Sequence, residues 1–362
     1  MIKNIPSPQR GEGQGEGEYH MKVGVYYKNS DVRVEERPEP KAGDHDIVVK
    51  VMACGLCGSD LLEWYRIKRA PLVLGHEPAG VIVETGKLIT KVKTGDRVFV
   101  THHVPCNACY HCRTGHETAC VTFQTVNNFE PGGFSQLLRV TGKSVETGTF
   151  ILPDSMSFEQ ATFIEPLATA VRALRTVALK PAQSVLICGS GVAGLLIIKL
   201  ARALGAGKII ATDVSPYRLQ KAREFGADHA VAASEDVPAF VKKVNDRRLA
   251  DVVILCAGAL PAARTALQSA ERGGTILFFA VPKPGETVDV DFNPFWRDDI
   301  TIKTCYGAAP LDNLQALELI RQGTVTVTDM VTHRFGIDAI GEAFMTGAKP
   351  DGCMKVVIEP NP

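Results

Sequence analysis

The sequence predicts an α/β protein in two parts: one rich in short antiparallel strands, one built on a doubly wound parallel sheet. Three observations carry that expectation. The chain has 362 residues, about twice a common domain length. Residues 21 to about 165 read as short apolar runs broken by Gly, Pro and Asp, which favours antiparallel strands. From Pro166 to about 304 apolar strands alternate with helical stretches, the mark of a parallel sheet covered on both faces.

In chain order, residues 1–20 (MIKNIPSPQRGEGQGEGEYH) are polar and low in complexity. They cannot build a core and read as a disordered leader or an over-extended start. Strand-like alternation opens at Met21, and further strands are expected at 46–51, 79–83 and 96–100. In the second part strands are expected at 184–188, 208–212, 251–256, 275–279 and 300–304. Helices are expected there at 192–204, 216–225 and 262–271; beyond the sheet another helix is expected at 311–321 and a last strand at 354–358. No fixed period recurs, which excludes a solenoid.

Composition narrows the function. Forty Lys plus Arg balance forty Asp plus Glu. That balance, with no basic cluster, argues against nucleic acid or a membrane surface as partner. No apolar run approaches the roughly 18 residues of a spanning helix, and no signal-peptide pattern opens the chain. A cytoplasmic protein is the expectation. Ten cysteines in such a chain point to metal or catalytic use rather than a disulfide framework.

Gly189-Ser190-Gly191-Val192-Ala193-Gly194 matches G-x-G-x-x-G between an apolar strand and an apolar helix. Gly189 permits the tight turn, Gly191 lets backbone approach a pyrophosphate at the helix start before Val192, and Gly194 lets helix and strand pack closely. Asp213, nineteen positions beyond Gly194, ends the next strand where a carboxylate accepts ribose hydroxyls and repels a 2′-phosphate. NAD is therefore expected over NADP, with Arg218 as the nearby residue able to hold a phosphate or lie along the ribose.

Cys106-x2-Cys109-x2-Cys112-x7-Cys120 brings four thiols onto one short loop. Four thiolates suit tetrahedral Zn²⁺ with no open position, a structural site. Iron–sulfur clusters use the same ligand type, but the rest of the chain points away from one. Cys57-Gly58-Ser59-Asp60 and Gly75-His76-Glu77 say little alone; beside the lobe and the dinucleotide motif they become specific.

Together these motifs, with Gly95-Asp96-Arg97-Val98 before the lobe and Gly132-Gly133-Phe134-Ser135-Gln136 after it, resemble the zinc-dependent medium-chain dehydrogenase/reductase family of alcohol and sorbitol dehydrogenases. The resemblance runs from about Met21 to the C-terminus. It implies an α/β chain: a β-rich GroES-like catalytic domain (21–165 and 305–362, with a structural zinc lobe at 102–121) plus a doubly wound parallel-sheet Rossmann domain (166–304). It implies two zinc ions per chain, structural and catalytic. Cys57 and His76 are the implied catalytic ligands, with Glu77 and Glu165 sharing the remaining coordination. Glu165 in Phe163-Ile164-Glu165-Pro166-Leu167 resembles the sorbitol, polyol and threonine dehydrogenase branch. Asp60 is implied to orient His76, and Ser59 to accept the hydroxyl proton. Trp64 and Tyr65 fall where the family lines its substrate pocket, and a homotetramer or homodimer is implied.

The chain departs from that pattern at Leu62, where many relatives end a proton relay on His. It departs again at 302–307, where sorbitol dehydrogenases carry an Arg-Tyr pair and this chain has Tyr306 without the Arg. Cys54 reads as a packed thiol, and Cys188, Cys256, Cys305 and Cys353 as small core residues. His102 and His103 read either as strand-end packing or as facing the cleft. The expected activity is hydride transfer from a secondary alcohol (polyol, cyclitol or sugar-derived) to NAD. A threonine-type or simple-alcohol dehydrogenase is the rival in class, and a non-catalytic nucleotide-binding scaffold the rival outside it.

Overall fold

The computed structural model describes residues 19–362; all but the last two residues of the expected leader lie outside them. An eight-stranded sheet, antiparallel except where Val331–Gly336 runs parallel to Lys355–Glu359, is centred on Ile47–Gly55. That strand pairs with Glu77–Thr85, Leu137–Val140 and Lys355–Glu359. Eight of its nine positions avoid full exposure, so it reads as a near-continuous apolar run, as a strand covered on both faces must. The register sets Gly55 opposite both Glu77 and Val357. The last strand of the chain thus lies beside the segment that leads to Cys57. A three-stranded sheet of Asp31–Pro38, His20–Lys28 and Leu72–Val73 completes this part.

The second sheet has six strands, all paired parallel, in the order His229–Ala232, Ile209–Asp213, Val185–Cys188, Ala250–Leu255, Ala270–Phe278 and Thr301–Thr304. In chain order that is 3-2-1-4-5-6, the doubly wound arrangement whose crevice opens where the order reverses, beyond the end of Val185–Cys188. Five strands and three helices were expected here. The sixth strand, His229–Ala232, and the helix Val237–Val244 were not, because four residues carry too little periodicity to announce a strand. The strand expected at 275–279 begins at Ala270; Gly273 (φ +70°) and Gly274 interrupt the apolar run that a sequence reading needs.

Helix Ile164–Val177 joins the two parts. Pro166 sits in its first turn, where a missing N–H costs nothing because that group has no helical partner. Its buried face packs on Val192–Ala203 and on Pro310–Arg321. Glu165, in the same first turn, is thereby brought within electrostatic reach of His76 and Glu77. No helix among the described residues is long and apolar enough to cross a membrane.

Candidate active site and metal centres

Cys57, His76 and Glu77 each offer a ligand atom, all within 4.8 Å of one another. Cys57 caps the short turn Gly58–Leu61: its N–H donates to Asp60 Oδ2 (3.1 Å) and its Sγ accepts from Ser59 N (3.4 Å). The same fully buried Asp60 presents Oδ1 to His76 Nδ1 at 3.3 Å, which leaves Nε2 as the ring nitrogen that could serve a metal. Burial works against the Asp60 charge, but His76, Arg66 and the Cys57 N–H outweigh it and hold the carboxyl below its usual range. Burial works against a charged His76 too, and Asp60 and Cys57 raise it well above its ordinary value. A cation placed between these groups would displace that proton.

Glu77 is fully buried. Its Oε2 ion-pairs with Lys355 Nζ, itself buried, which also donates to Leu56 O (3.4 Å). Glu77 Oε1 is buried with no partner among the described residues, the kind of orphan that a bound cation satisfies. A Cβ on Gly55 would stand 1.9 Å from Glu77 Oε2, so only glycine fits opposite this pair. Glu165 does not fall within 4.8 Å of all three ligand atoms. Its charge nevertheless interacts with His76, Glu77, Lys355 and Asp60, and burial pushes it up to about 7.

The four lobe thiols also lie within 4.8 Å of one another, and all ten cysteines are free of disulfides. Backbone N–H groups of Cys109 and Ala108 point at Cys106 Sγ (3.3 and 3.5 Å), and that of Cys106 at Cys120 Sγ (3.3 Å). Burial opposes the Cys120 thiolate, yet the N–H groups of Cys106 and Phe123 and the neighbouring sulfurs bring it down to about 6; burial and neighbouring sulfurs push Cys112 up to about 12. Crowded sulfurs with amides aimed at them are the chemistry of a metal–thiolate centre. Arg172 ties the lobe to the joining helix through Thr118 Oγ1 (2.9 Å).

The glycine motif has the expected geometry. Gly189 takes φ +107°. A Cβ on Gly194 would meet Gly189 O at 2.0 Å, and one on Gly191 would meet nothing within 4 Å. The first contact is the close helix–strand approach, the second an open cradle at the start of helix Val192–Ala203. Asp213 accepts from Ser190 N (2.7 Å) and Ser215 N (2.9 Å), so it ties the glycine loop to the next turn. Arg218 stands in the first turn of Pro216–Glu224, its N–H on Ser215 Oγ (3.2 Å).

A cavity of about 220 Å³ opens against His76 and is lined by Tyr65, Arg66, Arg69, His102, His103 and Tyr306 among others. Trp64 packs beside Tyr65, ring centroids 5.7 Å apart, and does not line it. Arg66 reaches back to the metal cluster: Nε donates to Ser59 O (3.0 Å) and Nη2 to Ser59 Oγ (3.0 Å), with Asp60 Oδ1 at 3.3 Å. Leu62 is 42% exposed and supplies no polar group there. Cys54 is fully buried, which pushes its thiol well up; burial likewise raises Cys188, Cys256, Cys305 and Cys353. Sequence reasoning missed Arg66, Arg69 and Lys355. Only Lys355 left a signal, a charge inside the apolar run Met354-Lys355-Val356-Val357-Ile358.

Residues 43–148 match the alcohol dehydrogenase GroES-like domain, and residues 192–322 the zinc-binding dehydrogenase domain. Sorbitol dehydrogenase of Bacillus subtilis (strain 168) is 32% identical over 355 residues, covering 94% of this chain and 98% of that protein. This chain belongs to the zinc-dependent medium-chain dehydrogenase/reductase family. L-threonine 3-dehydrogenase of Rhizobium johnstonii is 29% identical over 318 residues, 86% of this chain and 90% of that one. Among solved structures, a zinc-binding dehydrogenase from Sinorhizobium meliloti 1021 bound to NADP superposes with a TM-score of 0.85 at 26% identity, covering 94% of this chain and all of that one. This dehydrogenase therefore falls in the sorbitol- and threonine-like branch and is a zinc-dependent oxidoreductase that works with a nicotinamide cofactor on small alcohols and ketones.

Proposed function

We propose that this dehydrogenase oxidises a secondary alcohol on a polyol, cyclitol or sugar-derived substrate to a ketone with NAD, and runs the reverse reduction. The observation that carries the proposal is the Cys57–His76–Glu77 cluster set against a cavity rich in polar side chains. In this reading the chain holds two zinc ions. Cys106, Cys109, Cys112 and Cys120 hold the structural one; Cys57 and His76 hold the catalytic one, with Glu77 and Glu165 serving its remaining positions. When bound, the catalytic zinc supplies Lewis-acid polarisation that lowers the pKa of an alcohol, and the nicotinamide supplies the hydride acceptor.

The protein's own groups do the rest. Asp60 holds His76 in one tautomer and orientation. Ser59 takes the substrate hydroxyl proton. Because Ser59 Oγ accepts from Arg66 Nη2 at 3.0 Å, its own hydrogen is left to donate toward solvent or the cofactor ribose. Arg66 thus orients Ser59 where Leu62 offers no relay group. Asp213 accepts the adenosine ribose hydroxyls with Arg218 beside them, which favours NAD. Tyr65, with Trp64 packed behind it, borders the substrate.

The cofactor unit is read as 166–304 and the catalytic unit as 21–165 with 305–362. The strand Thr301–Thr304 ends its sheet, and nearby Trp296 (82% exposed) and Phe292 (65% exposed) are uncovered apolar surface. That edge suits a homodimer, or a homotetramer built from it, in the cytoplasm. The test is NADH or NADPH formation by zinc-loaded protein against polyols, cyclitols, L-threonine and simple alcohols. Preference for a polyol or cyclitol with NAD supports the reading. Preference for threonine, for a simple alcohol or for NADP corrects that part of it. Nucleotide binding with no turnover on any compound overturns it in favour of a scaffold.

A further inference from the structure

We infer that the alcohol this enzyme oxidises carries an anionic group, a phosphate or a carboxylate, which Arg69 and Arg66 hold at the rim of the cavity beside Cys57 and His76. The inference rests on the dehydrogenase reading and narrows its substrate class.

The charge balance of the cavity carries it. Arg66 and Arg69 line the wall, and no Asp or Glu does. Arg66 spends Nε and Nη2 on Ser59 and Asp60, and Asp60 is already shared with His76. Its Nη1 makes no hydrogen bond to a described residue, and its guanidinium lies 4.8 Å over the Tyr65 ring. Arg69 makes no hydrogen bond and no ion pair to any described residue, although other surface arginines such as Arg33 find carboxylates. Both guanidinium charges act on the Tyr306 hydroxyl and on the His103 ring, so both stand at the same rim. His102 also lines this cavity, and its Nδ1 is buried with no partner among the described residues.

A neutral polyol offers the Arg69 guanidinium no counter-charge, and no carboxylate of the cavity wall supplies one in its place. An amino alcohol without an acid group would add to the positive charge. A phosphate or carboxylate neutralises it, and the forked N–H groups of arginine match the paired oxygens of both.

The test compares matched substrates on the zinc-loaded enzyme with NAD: D-glucitol against D-glucitol 6-phosphate and against D-gluconate. Charge-assisted hydrogen bonds predict a preference of at least about tenfold in kcat/KM for one anionic member, mostly through KM. Which member is preferred tells a phosphate ester from a carboxylate. Arg69→Gln should cut that preference about tenfold, and Arg69→Lys should restore much of it. Inorganic phosphate should compete with D-glucitol in the wild type and about tenfold more weakly in Arg69→Gln. A residue with only a structural role would lower both kcat/KM values together and leave their ratio and the phosphate inhibition unmoved. Equal kcat/KM within each pair, with a ratio indifferent to Arg69, overturns the anion site while the neutral turnover keeps the dehydrogenase reading. If no compound is oxidised, the polyol reading fails and inorganic phosphate alone decides. Arg69-dependent thermal stabilisation by phosphate, beyond that of sodium chloride at equal ionic strength, upholds the anion site, and its absence overturns it.

Discussion

The two thiol-bearing clusters solve opposite problems. In the lobe, every donor comes from one loop, Cys106 to Cys120, and backbone amides from that loop aim at the sulfurs. In the cleft, Cys57 comes from a capped turn and His76 and Glu77 from the lead-in to a strand. Their supports come from still further away: Glu165 from the joining helix and Lys355 from the last strand. The lobe can organise itself locally and present a closed set of four. The cleft exists only after both ends of the chain have met in one sheet. Its donors are mixed, its one carboxylate is shared with a lysine, and it faces a cavity. A closed set holds a loop; an unequal and open set leaves room for chemistry.

Breaking the cleft should therefore cost function, and breaking the lobe should cost stability. The largest expected effect is Cys57→Ala, which should lower kcat by at least about a thousandfold, since on the proposed reading Cys57 would hold the Lewis acid. NAD affinity, read by fluorescence titration, should stay within about twofold because the glycine loop is untouched. Full turnover by that variant would remove the catalytic role of the cluster. Next is Lys355→Met, which leaves Glu77 buried with an uncompensated charge. Losing one member of a buried pair costs about 3–5 kcal/mol, seen as a fall in denaturant midpoint. A smaller loss in zinc-loaded than in zinc-stripped protein would mean that the metal compensates Glu77 when the lysine cannot.

The lobe variant Cys112→Ser should lose one equivalent of metal while the cleft keeps its own. Loosening the loop should cost about 2–3 kcal/mol, or roughly 8 °C in Tm, with kcat per folded molecule changed by less than about threefold. If Cys112→Ser instead abolishes turnover at unchanged stability, the contrast between the two clusters is wrong.

The same contrast explains what the sequence could disclose. The lobe was legible because its donors are close in the chain and spacing alone brings them together. The glycine loop was legible for the same reason, and Gly194 meets Gly189 O as its motif requires. Cys57 and His76 became legible only through resemblance. Lys355 was not legible as a partner of Glu77, because 278 positions separate them and only strand pairing at Gly55 joins them. Arg66 and Arg69 were missed because a basic residue on a short turn reads as solvated surface. Nothing local says that Arg66 folds back onto Ser59. The parallel sheet was anticipated from alternating apolar runs, and its shortest strand, His229–Ala232, was lost because a run that short has no measurable period.

The smallest expected effect lies between the two clusters, at His103. Its Nδ1 meets Phe123 O at 2.8 Å, and its ring stacks on Phe123, which belongs to the segment just after Cys120. On its other side it faces His102, and the charges of His76, Arg66 and Arg69 act on it. Burial and these positive neighbours lower it from 6.5 to about 4. A histidine lowered in the folded state is neutral there while its unfolded counterpart takes up a proton. Its contribution to stability is therefore complete above pH 6.5 and is lost as pH falls toward 4. Thermal melts of the wild type should drop steadily through that window, and His103→Gln should remove part of the slope, about 3 °C at pH 5 relative to pH 7.5. The comparison is of slopes, so any loss of packing in the variant, equal at both pH values, cancels. Parallel slopes would mean that His103 is open enough to protonate in the folded state. The wall between lobe and cleft would then be wetter than its stacking on Phe123 implies.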